Sequence, residues 1–139
     1  VSRHGYTEDD HDDAAAQWSM IRWQGALKSA IRGKAGQRFL RELRDALDAL
    51  PEQALCRGVL ATSTGEVCAL GAVAKRRKLD VTEFIDEDGL DPEDFGALLG
   101  IPDSLAREIM YQNDEWCDAW KHVRTWVDAR IVYGPENKP

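Results

Sequence analysis

The run Gly65-Glu66-Val67-Cys68-Ala69-Leu70-Gly71-Ala72-Val73-Ala74 carries one charge in a chain that is 31% charged. Its apolar part, Val67 to Ala74, is far short of the roughly 20 residues needed to cross a bilayer. It follows a turn-rich stretch and precedes the basic tetrad Lys75-Arg76-Arg77-Lys78. We read it as the central buried segment of the fold. Gly71 and the alanines leave little side-chain bulk, so neighbouring backbone can approach closely and the larger residues of flanking helices must supply the packing volume. From Ala69 to about Arg77 the run reads as a helix, closing with cations where the negative end of its dipole favours them.

The chain of 139 residues is the size of one domain, and 43% hydrophobic residues with five tryptophans argue against disorder. A net charge of -7 sets the global field against polyanion binding, so only local patches could reverse that average. Cys56, Cys68 and Cys117 are odd in number and widely spaced, which suggests neither a disulfide framework nor a zinc knuckle. The first residues lack the apolar stretch of a signal peptide, and an intracellular protein with reduced thiols is expected.

Residues 1–13, with Glu8, Asp9, Asp10, Asp12, Asp13, His4 and His11, read as a flexible acidic arm, residues 14–133 as a single globular helical domain, and residues 134–139 as a frayed tail. Met20, Trp23, Leu27, Ala30 and Ile31 share one helix face, widened by Trp18 and Ile21. Gly33-Lys34-Ala35-Gly36 reads as a break before a second helix, in which Phe39, Leu40, Leu43, Ala46, Leu47 and Leu50 face inward. Arg41 with Asp45 and Arg44 with Asp48 are expected to pair along its outer face. Leu55–Leu60 and Glu66–Cys68 flank a turn and predict a small β-hairpin. Asp91-Pro92-Glu93-Asp94 is a helix start, ending near Gly100. A helix from Pro102 carries Leu105, Ala106, Ile109 and Met110 inward, and Asp114 is expected to cap a last helix bearing Trp116, Trp120, Val123, Val127 and Ile131. The fold class is therefore mainly α: a compact helical domain of about six helices with a small β-hairpin.

Few residues form a reactive constellation. Residues 95–109 satisfy the packing needs of a helix-turn-helix, but its second helix would offer Asp103, Ser104, Arg107, Glu108 and Gln112 to DNA, so a structural motif is the better reading. Gly33-Lys34 lacks the preceding glycine and following hydroxyl of a phosphate loop. His4 and His11 form no fixed ligand set, and no metal or cofactor is expected. Cys68 at a helix start, with His122 as its base, is the only nucleophile worth weighing, and a buried structural thiol is the commoner outcome. No catalytic residue is assigned.

Two charged regions remain. Residues 80–94 hold eight acids and no base, and Asp86, Glu87, Asp88, Asp91, Glu93 and Asp94 are the candidate contacts to a basic protein surface. Arg38, Arg41, Lys75, Arg76, Arg77 and Lys78 are the alternative candidates, for nucleic acid.

The segments Ser2-Arg3-His4-Gly5-Tyr6, Ile21-Arg22-Trp23-Gln24-Gly25-Ala26, Ser29-Ala30-Ile31-Arg32-Gly33-Lys34, Ala46-Leu47-Asp48-Ala49-Leu50-Pro51, Gly65 to Ala72 and Glu108-Ile109-Met110-Tyr111-Gln112-Asn113-Asp114-Glu115 together resemble a group of small proteins encoded by bacteriophages and prophages. The resemblance runs from residue 2 to about residue 127 and carries no catalytic residues. It implies a phage origin and residence in the cytoplasm of a bacterial host cell. By class analogy it implies an accessory, non-enzymatic protein that binds a host protein, such as a nucleic-acid-binding defence effector, in an anti-defence or anti-CRISPR role. The alternative is a nucleic-acid-binding regulator. No membrane partner is expected.

Overall fold

The computed structural model describes residues 13–88 and 91–132; the acidic arm and frayed tail expected at the termini lie outside these, apart from Asp13. Among the described residues the chain forms six α-helices: α1 (Asp13–Arg32), α2 (Lys34–Asp48), α3 (Ala69–Arg76), α4 (Pro92–Leu99), α5 (Asp103–Asp114) and α6 (Ala119–Arg130), with a single 3-10 turn at Thr82–Phe84. No helix among the described residues is long and apolar enough to cross a membrane.

The uncharged run lies at the centre. Every residue from Val67 to Ala74 is buried, and α3 packs against α2, α4 and α5. A Cβ at Gly71 would stand 2.2 Å from the Leu60 carbonyl oxygen, so the backbone approach expected of this small-residue segment is realised, and only glycine permits it. Lys75 and Arg76 close the helix. On α2, Phe39, Leu40, Leu43, Ala46 and Leu47 are buried, as their spacing requires.

Two expectations around α2 change. The break over 33–36 shrinks to Gly33 alone, because Gly36 is a packing residue inside α2: a Cβ there would lie 1.6 Å from the Ala30 carbonyl oxygen. The two acids expected to pair at a spacing of four meet other arginines: Asp48 is bound by Arg124 of α6, and Asp45 by its neighbour Arg44. α1 packs on α5 as well as α2, and its half-buried stripe runs through Trp23, Leu27, Ala30 and Ile31. Trp18 at 64% and Ile21 at 57% stay exposed.

The predicted β-hairpin is not formed. Ala61 makes one antiparallel bridge to Val67 and one parallel bridge to Ile85, and no strand extends from either. Gly58, with φ of 76°, turns the chain just before Leu60, and Cys68 is already the N-cap of α3, so no room remains for a ladder.

α4 and α5 do form a helix-turn-helix arrangement. Asp91 caps α4, Pro92 occupies its first turn, and Gly100 ends it in the left-handed conformation at φ of 73°. A Cβ at Gly96 would come 2.8 Å from the Ile101 carbonyl oxygen, which explains the small residue there. α5, however, is surrounded by α1, α3, α4 and α6. A groove-reading helix needs one free face, and α5 has none of its central positions exposed. α5 continues through Asp114, so Asp118 rather than Asp114 caps α6, and Trp116 sits exposed at 46% between the helices instead of on the inward face of the last one.

Buried amides tie these helices together. Gln37, 3% exposed, donates from Nε2 to the Ile31 and Arg130 carbonyls and accepts from the Val132 N–H, so it joins the ends of α1 and α6. Asn113, 1% exposed, does the same for the start of α3 and the loop at Cys56.

Candidate interaction surface

The acidic segment is held rigidly at a few points and presents the rest of its charge to solvent. Asp80 Oδ1 accepts from the Thr82 hydroxyl and N–H, which turns the chain into the 3-10 element and holds the Asp80 carboxyl below its usual range. Asp86, at φ of 57°, donates its N–H to the Ala61 carbonyl and accepts the Ser63 N–H at 3.2 Å. Asp91 Oδ1 accepts the Glu93 N–H at 3.1 Å. Two of the six sequence candidates, Asp86 and Asp91, are therefore structural acceptors.

Glu83, Glu87, Asp88, Glu93 and Asp94 are exposed. Among the described residues none of the eight acids in 80–94 forms an ion pair, whereas Glu42, Asp45, Asp48, Asp103 and Asp128 each meet an arginine. Beneath this charge lies an open cleft of about 630 Å³, with Phe84, Ala97 and Leu98 as its apolar lining and Glu83, Glu87 and Asp94 as its rim. Phe84 is braced from below by buried Phe95, edge to face at a centroid distance of 6.0 Å. The acids of this surface were legible in the sequence; that Phe84, Ala97 and Leu98 would form a cleft was not, since α4 contributes the last two across the turn.

The basic candidates are arranged differently. Arg77 grips Glu42 through Nε and Nη2 at 2.6 and 2.5 Å, and also donates to the Leu99 carbonyl. That bond to Glu42 raises the Arg77 pKa further. Arg76 donates to the Asp45 carbonyl and Arg41 to the Val132 carbonyl. These three arginines fasten α3 and the segment after α6 to α2; Arg38 and Lys75 to Lys78 are all exposed, but of that set only Arg38, Lys75 and Lys78 take no part in these bonds. Arg32 instead borders a second open cleft of about 570 Å³, with Trp23, Leu27, Lys28 and Arg130.

Cys68 and His122 are each held by other partners. Cys68 Sγ accepts the Gly71 N–H as the cap of α3, and burial pushes its pKa up to about 12, where no thiolate forms at neutral pH. Burial and the Glu66 charge raise Cys56 to about 11. His122 is hydrogen-bonded to Gln112 and stacked on Trp116 at 4.3 Å between ring centroids. Gln112 in turn donates to buried Glu108 at 3.3 Å. This chain of polar contacts was missed in the sequence, where only the i, i+4 spacing of Glu108 and Gln112 hinted at it. Among the described residues no group of three or more His, Cys, Asp or Glu side chains could hold a metal ion.

Comparison with known proteins finds no matching family model, curated protein or solved structure.

Proposed function

We propose that this chain is a phage-encoded, non-enzymatic binding protein that uses the surface over residues 80–94 to engage a basic patch on a host protein, in an anti-defence role directed at a nucleic-acid-binding effector. The observation that carries the reading is the contrast in charge pairing. Glu42, Asp45, Asp48, Asp103 and Asp128 are each paired with an arginine and acids such as Glu52 and Glu115 stand singly, whereas the eight acids of 80–94 cluster at the surface in no ion pair among the described residues. Clustered like charge raises the energy of the free protein, and a basic partner relieves it while speeding encounter. The rival reading, a nucleic-acid-binding regulator, is weakened because Arg41, Arg76 and Arg77 already serve internal bonds.

The test is a pull-down of tagged protein from bacterial host lysate, with and without nuclease. A host protein retained after nuclease treatment is expected, and its binding should weaken at least about ten-fold when Glu87, Asp88, Glu93 and Asp94 are all replaced by lysine. Asp86 and Asp91 stay intact in that variant because they hold the local backbone. Reversal of Glu52 and Glu115, exposed acids outside the surface, should leave binding little changed. A catch that disappears with nuclease, or equal binding by the reversed protein, overturns the reading.

A further inference from the structure

The cleft under the acidic rim has a composition that charge attraction alone does not require. Both of its walls repeat one pattern: carboxylates beside an apolar centre. The 3-10 side supplies Glu83, Phe84 and Glu87, and α4 supplies Asp94, Ala97 and Leu98. On α4 these three lie at i, i+3 and i+4, so they share a face. Phe84 and Leu98 are half-buried and Ala97 is exposed, while the rim acids are exposed and in no ion pair among the described residues. The floor is firm, because Phe84 rests on Phe95, which is 2% exposed in the core.

We infer that this cleft receives one apolar side chain of a basic amphipathic helix, with arginines or lysines one turn to either side seated on Glu83, Glu87 and Asp94. The inference rests on the proposed binding role of the acidic surface and narrows its partner. A surface that only imitated a phosphate track would need carboxylates along its length and would gain nothing from an apolar recess at their centre. A helix supplies the complementary spacing directly, since residues three and four apart project together. Seating an aliphatic side chain removes apolar area from water on both sides, and the carboxylates then act at shorter range in a drier environment.

The test uses a library of helix-forming peptides in which arginines flank a varied central position by one turn, titrated against the full chain at low ionic strength. Peptides with Leu, Met or Phe at the centre should bind about ten-fold or more tightly than the Asn peptide of equal charge, and should shift the amide resonances of Phe84, Ala97 and Leu98. Ala97→Trp, and independently Ala97→Met, should fill the recess and erase that preference while leaving charge-dependent binding in place; circular dichroism checks that both variants fold. Arginine-dependent binding that is indifferent to the central residue overturns the cleft and leaves the acidic-surface reading standing. Absence of binding by every peptide at low salt overturns both.

Discussion

Asn113 Oδ1 accepts the Ala69 N–H at 2.9 Å, across 44 residues of sequence. The same side chain donates from Nδ2 to the Cys56 carbonyl at 2.9 Å, so one buried amide satisfies the start of α3 and the loop that precedes it. Helix starts leave backbone N–H groups without partners, and at a buried helix such as α3 water cannot serve them. Asn113→Ala should therefore cost about 2–5 kcal/mol, since a donor and an acceptor both lose their partner. Asn113→Asp should also destabilise, because it turns the donor facing the Cys56 carbonyl into an acceptor. Urea unfolding with unchanged m-value checks both.

Glycines at two helical positions should respond in opposite directions. Gly71→Ala forces a methyl against the Leu60 carbonyl oxygen, where backbone must move, and should destabilise by about 2 kcal/mol or more. Gly25 in α1 is exposed and has nothing within 4 Å of an added Cβ. Gly25→Ala should stabilise by about 0.5–1 kcal/mol through the backbone entropy of the unfolded chain. Thermal melts of the two variants decide the matter directly.

The pH dependence of stability should carry a contribution from His122. Burial, aided by the Arg130 charge, lowers its pKa from the ordinary 6.5. The unfolded chain then binds more protons than the folded one just below that value, so stability rises with pH through this window. The contribution is full above pH 6.5 and is lost as pH falls toward the folded pKa. His122→Asn should flatten the unfolding free energy measured between about pH 7 and 5 relative to the parent protein. An identical slope in both proteins would show that the imidazole is not the group responsible.

Helix existence was legible because it depends on local pattern. Phe39, Leu40, Leu43 and Leu47 repeat at the helical period, and Asp91-Pro92 with Gly100 brackets α4 by cap chemistry that acts within a few residues. The β-hairpin failed for a reason that is also local yet easily misread: the apolar stretch before the turn contains Gly58 in a left-handed conformation, and the stretch after it becomes a helix at once. Trp116 was misassigned because its spacing to Trp120 suits a helix, while α5 includes Asp114 as its last residue and the next helix starts only at Ala119.

The candidate surface divides the same way. Its charge is a property of composition in one segment, so the acids of 80–94 were visible as a group. Their separation into holders, Asp80, Asp86 and Asp91, and free carboxylates depends on which backbone N–H each one meets. The basic clusters show the converse: Arg76 and Arg77 are adjacent to exposed Lys75 and Lys78 in sequence, but only the fold brings Asp45 and Glu42 within their reach.

By itself the sequence determined the helical class, the central position of Val67–Ala74, and the excess of acid in one segment, because periodicity, side-chain size and charge act over neighbouring residues. Tertiary structure alone decided that Asn113 caps α3, that α5 is an interior helix, and that Phe84, Ala97 and Leu98 share one cleft. Those relations join residues far apart in the chain, and they exist only once packing has paid the entropy of bringing them together.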